Sequence, residues 1–368
     1  MSKIQNPLFA PFKLKSLALP NRIVMAPMTR YKSPGGVPTK AVASYYRKRA
    51  EGGVGLILTE GTTINRPAAS DHNDIPNFHD PESLEGWRNV VREVHAAGGR
   101  IAPQLWHMGI SRRAGSGPYP DYPSEGPSGV AASGKLVGEA MTEKDIVATI
   151  EAFAQSAAVS KKIGFDAIEL HGAHGYLLDQ FLWKRTNLRT DVYGGARSQR
   201  TRFACEVLRA VRHEIGTDFP IIFRLSQWKV QDYGAKLAST PSEWAEVVEP
   251  LADAGVDIFD CSTRRYWESE FEGSQLNLAG WTKKLTNKPT ITVGSVGLSG
   301  LDFIASVKGE GPADVAKIDD LLLRLADGEF DLVAIGRALI ADPQWPNKIR
   351  DGRYSELMPF SATALESL

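Results

Sequence analysis

A closed barrel of eight parallel strands, each followed by a helix, is predicted from three observations. Eight short apolar runs recur along the chain, each followed by a loop and a segment with helical spacing. The runs are continuous rather than alternating, as strands buried on both faces require. Several are introduced by the same signal: Gly164-Phe165-Asp166, Gly255-Val256-Asp257 and Gly328-Glu329-Phe330-Asp331 each read as a helix-ending glycine and a tight turn into a strand. The reading is one α/β domain over residues 1–368, a (β/α)8 TIM barrel with long loop excursions over the C-terminal mouth. Its structural rival, a doubly wound sheet of eight strands, lacks a Gly-x-Gly-x-x-Gly after the first run.

In chain order the runs cover residues 23–28, 55–60, 100–105, 167–170, 220–225, 257–261, 290–294 and 331–335. Between them, residues 83–97 place Leu84, Trp87, Val90, Val91 and Val94 on one helical face. Thr142 precedes a helix whose stripe is Ile146, Ile150, Phe153 and Ala157, and Thr240-Pro241-Ser242-Glu243 is a capping box with proline at the first helical position. Two connections are too long to be passive. Residues 106–141 are rich in Gly, Pro and Ser and predict a loop or small hairpin over the mouth; residues 262–288 carry Arg264, Arg265, Tyr266, Trp267 and Trp281. Within 299–327 there is more helix than one crossover needs, which predicts a surface insertion.

Composition excludes several classes. The 368 residues carry 43 basic and 43 acidic side chains, so no basic stripe argues for nucleic acid. The polar start, Met1 to Pro7, is no signal peptide, and no run of 18 apolar residues spans a membrane. A cytoplasmic protein is the expectation, as monomer or homodimer. Two cysteines, Cys205 and Cys261, make neither a disulfide framework nor a cysteine-ligated iron–sulfur cluster, and read as packing residues.

In a barrel all strand tips face one cavity. The richest tip is Glu169-Leu170-His171-Gly172-Ala173-His174-Gly175-Tyr176. Two neutral imidazoles can donate to one substrate oxygen and the phenol can supply a proton. Two other readings stand beside this one: histidines satisfied by backbone carbonyls, and a metal site of a barrel hydrolase or aldolase with His107 as a third ligand. The other tips add Ala26-Pro27-Met28-Thr29-Arg30-Tyr31, then Thr59-Glu60-Gly61-Thr62, whose glycine would let a flat ring approach the backbone. Gln104-Leu105-Trp106-His107 offers an amide for an amide-like edge and an indole wall, and Phe223-Arg224-Leu225-Ser226 places a guanidinium inside. The last two, Val293-Gly294-Ser295-Val296-Gly297 and Ala334-Ile335-Gly336-Arg337, expose backbone N–H groups beside a cation, the phosphate site common in this fold. A phosphate at one side, an amide and a cation in the middle and a catalytic trio opposite fit a flavin mononucleotide lying across the mouth.

These residues carry a resemblance to the Old Yellow Enzyme family of flavin-dependent ene-reductases, over about Pro7 to Trp345. It rests on Asn21-Arg22-Ile23-Val24-Met25-Ala26-Pro27-Met28-Thr29-Arg30, Gln104-Leu105-Trp106-His107 and His171-Gly172-Ala173-His174-Gly175-Tyr176-Leu177. Arg189-Thr190-Asp191-Val192-Tyr193-Gly194-Gly195 and Ile335-Gly336-Arg337-Ala338-Leu339 add to it. The resemblance implies non-covalent FMN, reduced by NADPH or NADH, and an electron-poor alkene as the second substrate of a ping-pong reaction, with no metal. It implies that Thr29 meets the flavin near O4 and N5, beside the backbone of Ala26, Pro27, Met28 and Gly61. Gln104 and Arg224 would hold the pyrimidine edge, and Ser295, Val296, Gly336 and Arg337 the phosphate. His171 and His174 would bind the substrate oxygen, with Tyr176 as proton donor and Tyr31, Trp106 and Trp267 lining the pocket. The chain departs from a cysteine-bearing subgroup at Thr29, and its 227–233 segment and 357–360 tail differ from familiar relatives.

Overall fold

The computed structural model describes residues 6–300, 305–306 and 308–368. Eight strands form a closed barrel: β1 (Ile23–Met25), β2 (Leu56–Thr63), β3 (Arg100–Trp106), β4 (Ile168–His174), β5 (Ile221–Lys229), β6 (Ile258–Ser262), β7 (Thr290–Val293) and β8 (Leu332–Ile335). All pairings are parallel, and β8 closes on β1 through Val333–Ile23, Ala334–Val24 and Ile335–Met25. The predicted runs all become strands, and closure excludes the doubly wound rival. The crossover helices are α1 (Lys40–Glu51), α2 (Pro81–Ala96), α3 (Glu143–Ile163), α4 (Arg202–Ile215), α5 (Pro241–Asp253), α6 (Leu278–Thr286) and α7 (Asp319–Ala326). After β8 come two short helices, Arg337–Ala341 and Trp345–Arg350.

Two cores follow from the pleat. Facing the helices lies the larger cluster, with Trp87, Phe153, Phe203, Trp244 and Phe330. Inside the barrel, Val24, Leu56, Leu58, Ala102, Ala167, Ile222, Ile258, Ile291, Leu332 and Ala334 form a separate apolar layer. Side chains two residues further along a strand point the same way. Above that layer the interior therefore turns polar, with Gln104, Glu169, Arg224 and Asp260. The lower end is closed by a hairpin, Phe12–Leu14 against Leu17–Leu19, whose Leu17 and Leu19 join the interior cluster. Three-residue strands among lysines gave no periodic signal in the sequence.

The glycine–aspartate turns do more than reverse the chain. Gly164, Gly255 and Gly328 have φ of 106°, 121° and 76°, a conformation costly for other residues. The aspartate that follows each one binds the start of the preceding strand. Asp166 accepts from Ile101 N–H at 2.8 Å, Asp257 from Ile221 N–H at 2.9 Å and Asp331 from Thr290 N–H at 3.0 Å. Thr142, expected only to precede its helix, forms a full capping box with Asp145. At Thr240 only half of the predicted box forms: the hydroxyl accepts from Glu243 N–H, but the Glu243 carboxylate reaches past it to Ser239 N–H at 2.6 Å.

The long third connection carries a short paired stretch, Glu125–Gly126 with Glu139–Ala140. It is tied to the barrel by buried Glu125, which pairs with Arg66 at 2.9 Å and with His107 at 3.2 Å. In the 299–327 region Leu298–Gly300 pairs with Ala313–Val315 ahead of α7; part of that predicted insertion lies outside the described residues. Among the described residues no helix is long and apolar enough to cross a membrane.

Candidate active site

Strands β3 to β6 bring their inward residues together in two tiers. In the lower tier the Gln104 side-chain nitrogen donates to Glu169 at 2.7 Å, and Arg224 is ion-paired with Asp260. Gln104 therefore presents its carbonyl oxygen as an acceptor. The guanidinium is 5% exposed, and its Nε has no partner among the described residues, an orphaned buried donor that a ligand with a polar edge would satisfy. Burial first, and then the Asp260 charge, push the Glu169 carboxyl well above its usual range, so it stays protonated.

The upper tier is aromatic. Trp106 stacks on His171 at 6.2 Å and meets Tyr176 edge-on at 4.9 Å. His171 lies 5.0 Å from Tyr176 and 5.3 Å from His174, whose ring is nearly perpendicular at 88°. Burial, then the Arg224 charge, hold both imidazoles well below their ordinary value, so they are neutral. Burial also raises the Tyr176 phenol, with the neighbouring Tyr31 adding to it. Among the described residues that hydroxyl has no hydrogen-bond partner, so it is a protonated donor left free to act.

The turn holding this trio is strained and braced. His174 has φ of 65° beyond a register shift between β4 and β5 at Gly172. Ser226 accepts from His174 N–H at 2.9 Å, and Trp228 stacks on the imidazole at 4.2 Å. Beneath it lies a fully buried ion pair, Lys229 to Asp179 at 2.7 Å, and Asp179 also accepts from Gly175 N–H at 2.6 Å.

Across the barrel, β8 sits opposite β4. There Ala26, Met28 and Gly336 are neighbours: a Cβ on Gly336 would lie 3.3 Å from the Met28 sulfur. Ser295 has φ of 50° and accepts from Arg337 at 3.3 Å, while Arg337 also bonds Ser306. The first N–H groups of the short helix after Gly336 have no intrahelical acceptor, which suits a phosphate. The chemistry of these donors, together with Gln104 and Arg224 between them and the trio, fits FMN.

The other predicted site residues are placed by contacts of their own. A Cβ on Gly61 would stand 2.5 Å from the Trp106 indole, so the flat ring this glycine admits is the protein's own. Ala26 has its N–H bound to Ile335 at 2.9 Å, and the Val296 side chain is in the outer core. Trp267 is not brought to the trio: its neighbour Tyr266 is buried, and Trp267, 43% exposed, lines a groove between α6 and α7 with Leu276, Lys283 and Arg324. Tyr31 does stand by the trio's rim, edge-on to His72 at 4.8 Å. His107 spends one ring nitrogen on Glu125 and the other on Gly109 N–H at 2.9 Å, so it is not a third metal ligand. Thr29 is half-buried on the segment after β1. Sequence reasoning missed Ser226, Trp228, Asp260 and Ser262. Counting by twos from Arg224 along β5 finds the first two, and the same count from Ile258 along β6 finds Asp260 and Ser262.

The chain is similar in sequence and fold to known proteins. The family model described as NADH:flavin oxidoreductase / NADH oxidase family matches residues 7–356. An NADH oxidase of Thermoanaerobacter brockii is 34% identical over 95% of this chain, which spans about half (52%) of that protein's length. An NADPH dehydrogenase of Halalkalibacterium halodurans is 33% identical over 94% of each chain. A structure of morphinone reductase in complex with tetrahydroNAD superposes with a TM-score of 0.81 at 29% identity, over 97% of this chain and 93% of the other. A closed barrel matched over nearly its whole length in these ways belongs to the NADH:flavin oxidoreductase / NADH oxidase family, the FMN-bearing Old Yellow Enzyme family whose reductant is a nicotinamide.

Proposed function

We propose that this flavin oxidoreductase is an ene-reductase, reducing the activated C=C bond of α,β-unsaturated carbonyl or nitro compounds at the expense of NADPH or NADH. FMN, when bound, would supply a two-electron hydride carrier between the nicotinamide and the β-carbon of the alkene, in the separate half-reactions of a ping-pong cycle. The observation that carries the reading is the pairing of two neutral, mutually perpendicular imidazoles with an unpartnered phenol 5.0 Å from His171.

His171 and His174 bind the electron-withdrawing oxygen and draw charge onto it as the β-carbon is reduced. Tyr176 gives its proton to the α-carbon. Trp106 and Tyr31 wall the pocket. Gln104 accepts from, and Arg224 donates to, the pyrimidine edge of the flavin, Thr29 meets its central ring, and Ser295, Gly336 and Arg337 hold the phosphate. Trp267 is left out of this set because it faces the flank.

The test is an anaerobic titration of the purified holoprotein. NADPH or NADH should bleach the flavin, and cyclohexenone should restore the colour with one equivalent of cyclohexanone formed. A flavin that neither nicotinamide bleaches would make the barrel a non-catalytic flavin binder. Bleaching that quinones reverse and cyclohexenone does not would remove the alkene assignment. The acid-soluble flavin should be FMN, and recovery of FAD would contradict the cofactor assignment.

A further inference from the structure

A neutral imidazole has one N–H, so two histidines can both donate to one oxygen only if each carries its proton on the nitrogen that faces it. His171 is settled by its own backbone: its Nδ1 accepts from Ala173 N–H at 3.3 Å, which leaves Nε2–H as its donor. His174 has no such local partner. Its Nε2 lies 2.8 Å from the Ser262 hydroxyl at the tip of β6, a contact in which either atom could donate.

The surroundings of Ser262 decide the direction. Arg224, which can only donate, points its NH2 at the same Ser262 oxygen at 3.5 Å. The guanidinium charge draws the hydroxyl's lone pairs toward itself and turns the hydroxyl proton away, toward His174. Main-chain contacts hold the geometry: the Trp228 indole N–H donates to the Ser262 carbonyl at 3.1 Å while the same indole stacks on the imidazole. Ser226 holds the His174 backbone at its left-handed φ.

We infer that Ser262 is a positioning residue: its hydroxyl, polarised by Arg224, donates to Nε2 of His174 and so fixes the Nδ1–H tautomer that faces the substrate oxygen. The site thus uses its two histidines in opposite tautomers, one set by the backbone and one by a serine from another strand. Because Arg224 also faces the flavin edge, the same cation serves the cofactor and sets the substrate donor. This deepens the alkene reading and rests on it only for the role of the bound oxygen.

The test uses FMN-loaded protein and two readouts. Long-range 1H–15N spectra of the imidazoles, assigned with His174→Gln, report which nitrogen is protonated. The native protein should show His174 as Nδ1–H and His171 as Nε2–H. Ser262→Ala should move His174 toward Nε2–H, leave His171 and FMN content unchanged, and weaken binding of 4-hydroxybenzaldehyde phenolate, read by its charge-transfer band, by roughly 10–100-fold. Ser262→Thr keeps the hydroxyl and should restore both. An Nε2–H tautomer at His174 in the native protein overturns the inference, whether or not any variant folds. So does an unchanged tautomer in Ser262→Ala. If the native protein binds no phenolate while His174 is Nδ1–H, the positioning role stands and the alkene reading is what fails.

Discussion

At the scale of single residues, the active-site stretch works because its burial leaves each group in one protonation state. His171 and His174 are neutral donors and Tyr176 is a protonated phenol, all for the same first cause, desolvation. Reduction of an enone at the β-carbon leaves an α-carbon that must be protonated, and the Tyr176 hydroxyl has no hydrogen-bond partner among the described residues. Tyr176→Phe keeps the edge-on packing against Trp106. It should therefore leave FMN content and reduction by NADPH nearly unchanged while alkene turnover falls roughly 10²–10⁴-fold. Quinone reduction should survive, because its product oxygens exchange protons with water. Stopped-flow rates for the two substrates decide it: a common fall in both, or no fall in either, removes Tyr176 as the proton donor.

At the scale of elements, the turn from β4 into the short helix Leu177–Leu182 rests on the Lys229–Asp179 pair, both side chains wholly buried. The pair joins β5 to the short helix, and Asp179 also caps Gly175 N–H, so it supports His174 and Tyr176 from below. Lys229→Met should cost about 3–5 kcal/mol, because Asp179 is left as an uncompensated buried charge. Adding Asp179→Asn removes that charge and keeps an acceptor for Gly175, so the double variant should be more stable than the single. Urea denaturation of both, at fixed excess FMN, measures this. A double variant no better than the single would show that the pair's value is packing rather than charge. Neither residue was legible as a partner beforehand. Asp179 stands among apolar residues with no motif around it, and Lys229 sits in a stretch that departs from familiar relatives. What joins them is β5 continuing four residues past Leu225, which local patterns do not show. The strands themselves were legible, because continuous apolar runs between helix signals leave few alternatives. The bottom hairpin and the outward turn of Trp267 were not, because both are decided by contacts distant in sequence.

At the scale of the whole molecule, the two ends of the barrel divide the work. The lower end is a set of repeated clamps, the glycine–aspartate turns and the Leu17–Leu19 plug, whose residues fix strand starts and close the barrel floor. The upper end concentrates buried polar groups that oppose stability. Glu60 is one whose effect on the whole fold can be read. It lies buried at the β2 tip and accepts from Arg30 N–H at 2.9 Å, holding the segment that carries Thr29 and Tyr31. Burial outweighs those hydrogen bonds and raises its carboxyl from 4.5 to about 7. The folded state therefore binds this proton more tightly than the unfolded chain. Stability from Glu60 is fully present below about pH 4.5 and is lost as pH rises through about 7, by at most about 3 kcal/mol. Glu60→Gln stays neutral and keeps one acceptor for Arg30 N–H, so its stability should not follow that slope. Unfolding free energies of both proteins between pH 4.5 and 8, with FMN in constant excess, should show the variant gaining on the native protein across the window and then running parallel to it. A constant difference from pH 4.5 upward would mean that Glu60 is ionised throughout, and that the Arg30 and Tyr31 N–H groups outweigh its burial.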